Sequence, residues 1–183
     1  MRRILSVAFV ASAMFAGALI AAELKSGLQP GDDIPAYNVR DVTGPSEGKT
    51  LCYRCKYGAR PVVNIFAREM TPEVVALVKQ IDDLVGKNEE KKMAAFVTLL
   101  TNDPDKDEAT LKEIAKKQGL KNVPLTVFDG VAGPDGYKIA EKANLTVTMW
   151  VEGDVKASHA FAKGEYKTAS AKAILADTKK ILN

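Results

Sequence analysis

Cysteine and histidine are scarce in this chain: two and one in 183 residues. One histidine and two cysteines fall short of the four donors that a structural zinc site takes, and a lone histidine leaves little for a histidine-based catalytic network. An excess of one charge is missing as well, with 26 Lys and Arg against 23 Asp and Glu. Nucleic-acid binders neutralise phosphates with clustered basic residues, so no such partner is expected. Neither a cofactor nor a metal is expected. No internal repeat or long low-complexity tract interrupts the chain. With 46% hydrophobic and 27% charged residues, the composition is that of an ordinary globular protein, which excludes disorder and collagen-like order.

The first 22 residues read as a signal peptide. Arg2 and Arg3 supply the positive start, and Ile4 to Ala22 carry no charge. Ala16-Gly17-Ala18 offers one cleavage site and Ala21-Ala22 a second. An uncleaved membrane anchor competes, but Gly17 and the many alanines lower the hydrophobicity that anchoring requires. No cysteine lies near the cleavage region, which argues against a lipid-modified N-terminus. The expectation is an exported protein, periplasmic or extracellular, with no stable membrane span after cleavage. In such an oxidising space a nearby cysteine pair tends to be a disulfide. Roughly 160 residues then remain, enough for one core: a turn-rich extension over 23–60 and a core over 61–183.

From Leu28 to Arg60 the chain is dense in breakers, among them Pro30-Gly31, Pro35, Gly44-Pro45 and Gly58, which suits short strands and turns. Pro61 to Ala67 is a nearly continuous apolar run with β-branched residues, the pattern of a strand covered on both faces. Thr71, Pro72 and Glu73 then carry helix-start chemistry as cap, first residue and first-turn acid. Val74, Leu77, Val78, Ile81, Leu84 and Val85 repeat at helical spacing. Gly86 and the run Lys87 to Lys92 end that helix. Met93 to Leu100 reads as a second buried strand, and a helix is expected from about Asp107 to Gln118, with Gly119 as its C-terminal cap. Strand, helix, strand, helix argues for parallel pairing. A Gly/Pro loop from Asp129 to Gly136 precedes a short helix-like piece at Tyr137 to Ala143. Strands at Leu145 to Val151 and Val155 to Ala162 form a hairpin across Glu152-Gly153-Asp154, and a helix from Thr168 to Leu182 closes the chain.

This order resembles the thioredoxin fold, in its redoxin and peroxiredoxin-like form. Leu28 to Tyr37 (LQPGDDIPAY) resembles the opening of such domains, Pro61 to Arg68 (PVVNIFAR) their first core strand, Leu120 to Leu125 (LKNVPL) a later segment, and Val151 to Val155 (VEGDV) their C-terminal hairpin. The resemblance implies an α/β thioredoxin fold, a central mixed sheet flanked by helices, with a turn-rich N-terminal β extension. It also implies a reactive cysteine directly after the first core strand, at a helix start that stabilises thiolate. At those positions this chain has Met70, Thr71, Pro72 and Glu73. The proline matches but the cysteines do not, so the usual site is expected to be degenerate. The family's cis-proline is also without a counterpart around Leu145 to Val147.

The cysteines present, Cys52 and Cys55, keep the two-residue spacing but precede the core strand. No helix start is expected after Leu51, so activation would fall to Arg54, Lys56 and Arg60, whose charge lowers a thiol pKa. Three roles stay open: a structural disulfide, a redox pair exchanging with an unknown protein or thiol partner, and metal binding. Lys56 stands where haem attachment requires histidine. In an exchange role the more exposed cysteine attacks and the other resolves. The other class of function is a non-catalytic binding or structural module. His159 shares a strand face with Val155, Ala157 and Phe161 and is expected to pack there with a backbone hydrogen bond, or to serve as proton shuttle or third ligand. Asn102, Asp103, Asp105 and Asp107 read as a helix-entry loop and not a calcium loop.

Overall fold

The computed structural model describes residues 24–182. The expected signal segment lies outside the described residues. A seven-stranded mixed sheet organises the chain, in the order β2-β1-β5-β4-β3-β6-β7. Its strands are β1 (Val39–Asp41), β2 (Thr50–Leu51), β3 (Val62–Ala67), β4 (Ala94–Thr101), β5 (Leu125–Asp129), β6 (Ala143–Val151) and β7 (Asp154–Ala162). β3, β4 and β5 are parallel, while β6, β7 and the short β1 and β2 run antiparallel to their neighbours. Every residue of β3 and of β4 is buried, as the unbroken apolar runs require of strands covered on both faces.

Five helices complete the fold: α1 (Tyr53–Tyr57), α2 (Pro72–Lys87), α3 (Pro104–Gln118), α4 (Thr168–Asp177) and α5 (Lys179–Leu182). One core joins one sheet face to α2 and α4 through Val74, Leu77, Ile81 and Ile174, and takes Leu111 of α3. The opposite face carries an aromatic core of Tyr37, Tyr53, Tyr57, Phe66, Phe96, Tyr137 and Trp150. That second layer is built from the N-terminal segment, α1 and the loop after β5, so the helices flank the sheet unequally.

Local chemistry sets the boundaries. The Thr71 hydroxyl accepts from Val74 N–H and Pro72 opens α2. The same device moves the start of α3 from the expected Asp107 to Pro104: the Asp103 carboxylate accepts from Lys106 N–H. Gly86 continues α2 instead of ending it, and a Cβ there would lie 3.0 Å from the Asn122 amide. The hairpin between β6 and β7 places Glu152 at φ 58° and Gly153 at φ 92°, the two positive angles that a twist-matched two-residue turn needs. The expected helix-like piece at Tyr137 to Ala143 does not form. Tyr137 is fully buried with its hydroxyl donating to Pro35 C=O over 2.7 Å, Lys138 adopts φ 55°, and Ala143 already belongs to β6. Tertiary burial of one aromatic ring overrides the helical pattern there. The last helix is broken at Thr178, whose hydroxyl donates to Leu175 C=O.

Candidate functional site

Cys52 and Cys55 are joined as a disulfide, with Cα atoms 5.2 Å apart. They sit on a helix that the sequence reading did not anticipate. Cys52 is the N-cap of α1, with extended backbone at φ −102° and ψ 105°, and its sulfur accepts the Cys55 N–H at 3.0 Å. Cysteine is outside the residues usually found at this position, so the sequence carries no ordinary cap signal there. The legible signals were Tyr53 and Tyr57, four residues apart on one helix face, and Gly58, which ends the helix with its N–H on Arg54 C=O.

The two tyrosines hold α1 against the sheet. The Tyr53 ring stacks on Phe96 with centroids 5.0 Å apart, and its hydroxyl donates to Asp41. Tyr57 reaches Ala95 C=O with its hydroxyl. Burial is the main cause that keeps both phenols well above the usual tyrosine range, and Asp41 adds to it at Tyr53. Anchored inward by these rings, α1 turns its other side to solvent. Cys55 is exposed and Cys52 half-buried.

The two cations expected to support the pair, Arg54 and Lys56, are placed differently. The Arg54 guanidinium donates through Nε to Ile34 C=O at 3.2 Å and lies against the β6–β7 hairpin, within 3.0 Å of where a Gly153 Cβ would stand. Lys56 is exposed, with its ammonium 5.4 Å from the Tyr53 ring centroid. Arg60 lies over the Tyr57 ring at 5.0 Å.

Met70, Thr71, Pro72 and Glu73 are elsewhere, at the entry to α2. Met70 packs against the core shared by α2 and α4, whereas α1 packs into the aromatic core on the other sheet face. The sheet therefore separates the sulfurs from Met70. At the α2 entry the Glu73 carboxyl is held below its ordinary value, first by its own N–H and then by the Thr71 hydroxyl. Arg68 donates to the carbonyls of Val131, Ala140 and Ala143, tying the end of β3 to the loop before β6. Peptide bonds of the described residues are all trans.

His159 faces the α2 and α4 layer. Its Nε2 lies 3.1 Å from an Asp177 carboxylate oxygen, so its partner is a carboxylate on α4 and not the expected backbone group. The intervening sheet keeps it from the cysteines. Asp105 pairs with Arg40 and Asp107 accepts from the Thr101 hydroxyl, which absorbs the acidic loop into the α3 entry. Among the described residues no group of three or more His, Cys, Asp or Glu could hold a metal ion, and no helix is long and apolar enough to cross a membrane.

No protein-family model matches the chain, and no curated protein matches it. Solved structures do. A Chlorobium tepidum protein assigned as a thiol:disulfide interchange protein DsbE is 14% identical, at a TM-score of 0.62 over 85% of this chain and 99% of its own. Peroxidoxin BcpB from Mycobacterium tuberculosis is 20% identical, at a TM-score of 0.59 over 85% and 99%. The bacterioferritin comigratory protein of Xanthomonas campestris is 14% identical, at a TM-score of 0.55 over 80% and 92%. The chain has the thioredoxin-like fold that these redoxin structures share.

Proposed function

We propose that the protein is an exported thiol-disulfide exchange protein that works through Cys52 and Cys55, the family's usual site at Met70 to Glu73 having become degenerate. One observation carries this: Cys55 is the exposed residue of the pair, and the sulfur of the other, Cys52, accepts a helix-end N–H. A sulfur so placed is stabilised as thiolate by the unpaired N–H groups of the helix start, and exchange is faster when the leaving thiol has the lower pKa.

In the reducing direction the Cys55 thiolate attacks one sulfur of a partner disulfide. The Cys55–partner bond forms, the partner S–S bond breaks, and the released partner thiolate takes up a proton. Cys52 thiolate then attacks the Cys55 sulfur. The Cys52–Cys55 bond forms, the mixed disulfide breaks, and the second partner sulfur leaves as thiol. Two electrons pass from the cysteine pair to the partner, with two protons. Run backwards, a partner thiolate attacks exposed Cys55 and expels Cys52 as the stabilised thiolate. Lys56, exposed beside Cys55, favours the anion, while Arg54 positions α1 through Ile34.

A second reading rests on the anchoring of Tyr53 and Tyr57: the bridge closes a helix that is already packed, as a structural disulfide in a non-catalytic binding module would. Equilibration with glutathione and reduction of a test disulfide separate the two. Exchange predicts turnover that Cys52→Ser abolishes. A bond that resists reduction, or a Cys52→Ser variant with unchanged activity, favours the module.

A further inference from the structure

A cleft of about 800 Å³ opens beside α1, at the end of the sheet where β4 begins. Lys56, Arg60, Lys92 and Lys121 line it, against a single lining carboxylate, Glu89. These cations come from three places: α1 and its exit, the turn between α2 and β4, and the turn after α3. Elsewhere some cations are paired with carboxylates, as Arg40 with Glu108, Lys79 with Asp83 and Lys112 with Glu47. Among the described residues none of the four cleft cations has a carboxylate within ion-pair distance. Unpaired like charges gathered in one concavity repel one another, and low-dielectric walls focus their field on an incoming anion.

The walls are fixed before any ligand arrives. Arg60 donates through Nε to Lys92 C=O at 2.7 Å and through Nη2 to Met93 C=O at 3.3 Å. Lys92 is held at φ 57°, a left-handed conformation uncommon for a residue with a Cβ. On the far side the buried Asp82 carboxylate accepts from the N–H groups of Lys121, Asn122 and Val123 at 3.0, 2.7 and 2.9 Å. The lining also includes apolar Val85, Met93, Leu120 and Pro124. A lone phosphate would leave most of such a space empty. Tyr57 is the one aromatic residue in the lining, and it is buried with Arg60 over its ring, which leaves no open face on which single-stranded nucleic acid could stack. An extended peptide with carboxylates toward the rim and apolar side chains on the floor satisfies both kinds of lining.

The cleft also reaches the helix that carries the disulfide, through Lys56 of α1. Lys56 follows Cys55 directly and lies one turn from Cys52 on the same helix face, its N–H on Cys52 C=O. We infer that this cleft docks a carboxylate-rich peptide segment of the exchange partner and presents its sulfur to Cys55. The inference deepens the exchange function and rests on it for the second half of that statement only.

Two probes test it on the full chain: a fluorescent cysteine-free peptide rich in Glu and Leu, and its Gln-for-Glu counterpart, followed by anisotropy. The acidic peptide should bind at least about tenfold more tightly, and the advantage should shrink as salt rises from about 0.05 M to about 0.3 M. Lys92→Glu with Lys121→Glu should remove the advantage, and the milder Lys92→Gln with Lys121→Gln should reduce it if the reversal variant misfolds. Equal binding of the two peptides, or an advantage that survives both pairs of substitutions, overturns the docking site. Disulfide-bearing versions of the peptides then report exchange: acidic docking without exchange defeats the exchange function and leaves the cleft standing, while exchange without charge preference does the reverse.

Discussion

Tyr53 donates its hydroxyl to Asp41 Oδ2 across 2.9 Å while its ring stacks on Phe96, so the residue following Cys52 is bolted into the aromatic core. Asp41 also accepts from the N–H groups of Gly44 and Ser46. Tyr53→Phe keeps the ring and removes one hydrogen bond to a buried charge, for a loss of about 2 kcal/mol in denaturant unfolding. Because the helix carrying the disulfide loses an anchor, reduction of the bond by dithiothreitol should also quicken. An unchanged reduction rate would show that Tyr53 stabilises the fold without restraining α1.

Asp82 and Asp83 are adjacent on α2 but differ in what they hold. Asp82, 2% exposed, accepts three backbone N–H groups of the turn after α3. Asp83, itself exposed, pairs with half-buried Lys79. Loss of three charge-assisted bonds makes Asp82→Ala cost about 3 kcal/mol or more, against under about 1 kcal/mol for Asp83→Ala. Chemical denaturation of both variants checks the contrast.

Met70 packs on the side of the sheet away from the sulfurs. Met70→Ala should lower stability by about 1–2 kcal/mol, less than a fully buried methionine would, and leave thiol exchange within about twofold of the parent. Loss of exchange in a folded Met70→Ala protein would place the reactive centre at α2 instead.

Asp32 gives a pH test. Its carboxyl is held below the ordinary value chiefly by the Gln29 N–H and then by Lys138. A carboxylate with a lowered folded pKa contributes stability above its unfolded value, and that contribution disappears as pH falls through the folded value. Unfolding midpoints across the acid range should therefore decline less steeply in Asp32→Asn than in the parent, with the two curves converging at the lowest pH. Parallel curves would contradict the assignment.

Most of the sheet was legible because its signals are local and strong. The runs at Val62–Ala67 and Ala94–Thr101 are too long and too apolar for anything but buried strands, and Thr71-Pro72 marks a helix start by hydrogen-bond chemistry alone. Elsewhere distant contacts decide the local structure. Tyr137 follows the packing of its ring between Tyr37 and Phe66, which no neighbouring residue announces. The site was half legible: the spacing of Cys52 and Cys55 exposed the pair, but a five-residue helix capped by sulfur leaves little periodicity to read. Lys92 and Lys121, far apart in sequence, join Lys56 only through the turns that close α2 and α3.

The central claim is that sulfur chemistry runs at α1, with Cys55 outward and Cys52 resolving. Trapping with a chromogenic aromatic disulfide, followed by mass spectrometry of intact Cys52→Ser and Cys55→Ser proteins, tests it most directly. Cys52→Ser should accumulate a stable mixed disulfide on Cys55, at least about tenfold faster than Cys55→Ser forms one on Cys52. Equal rates, faster trapping at Cys52, or no adduct on either folded variant would contradict the account.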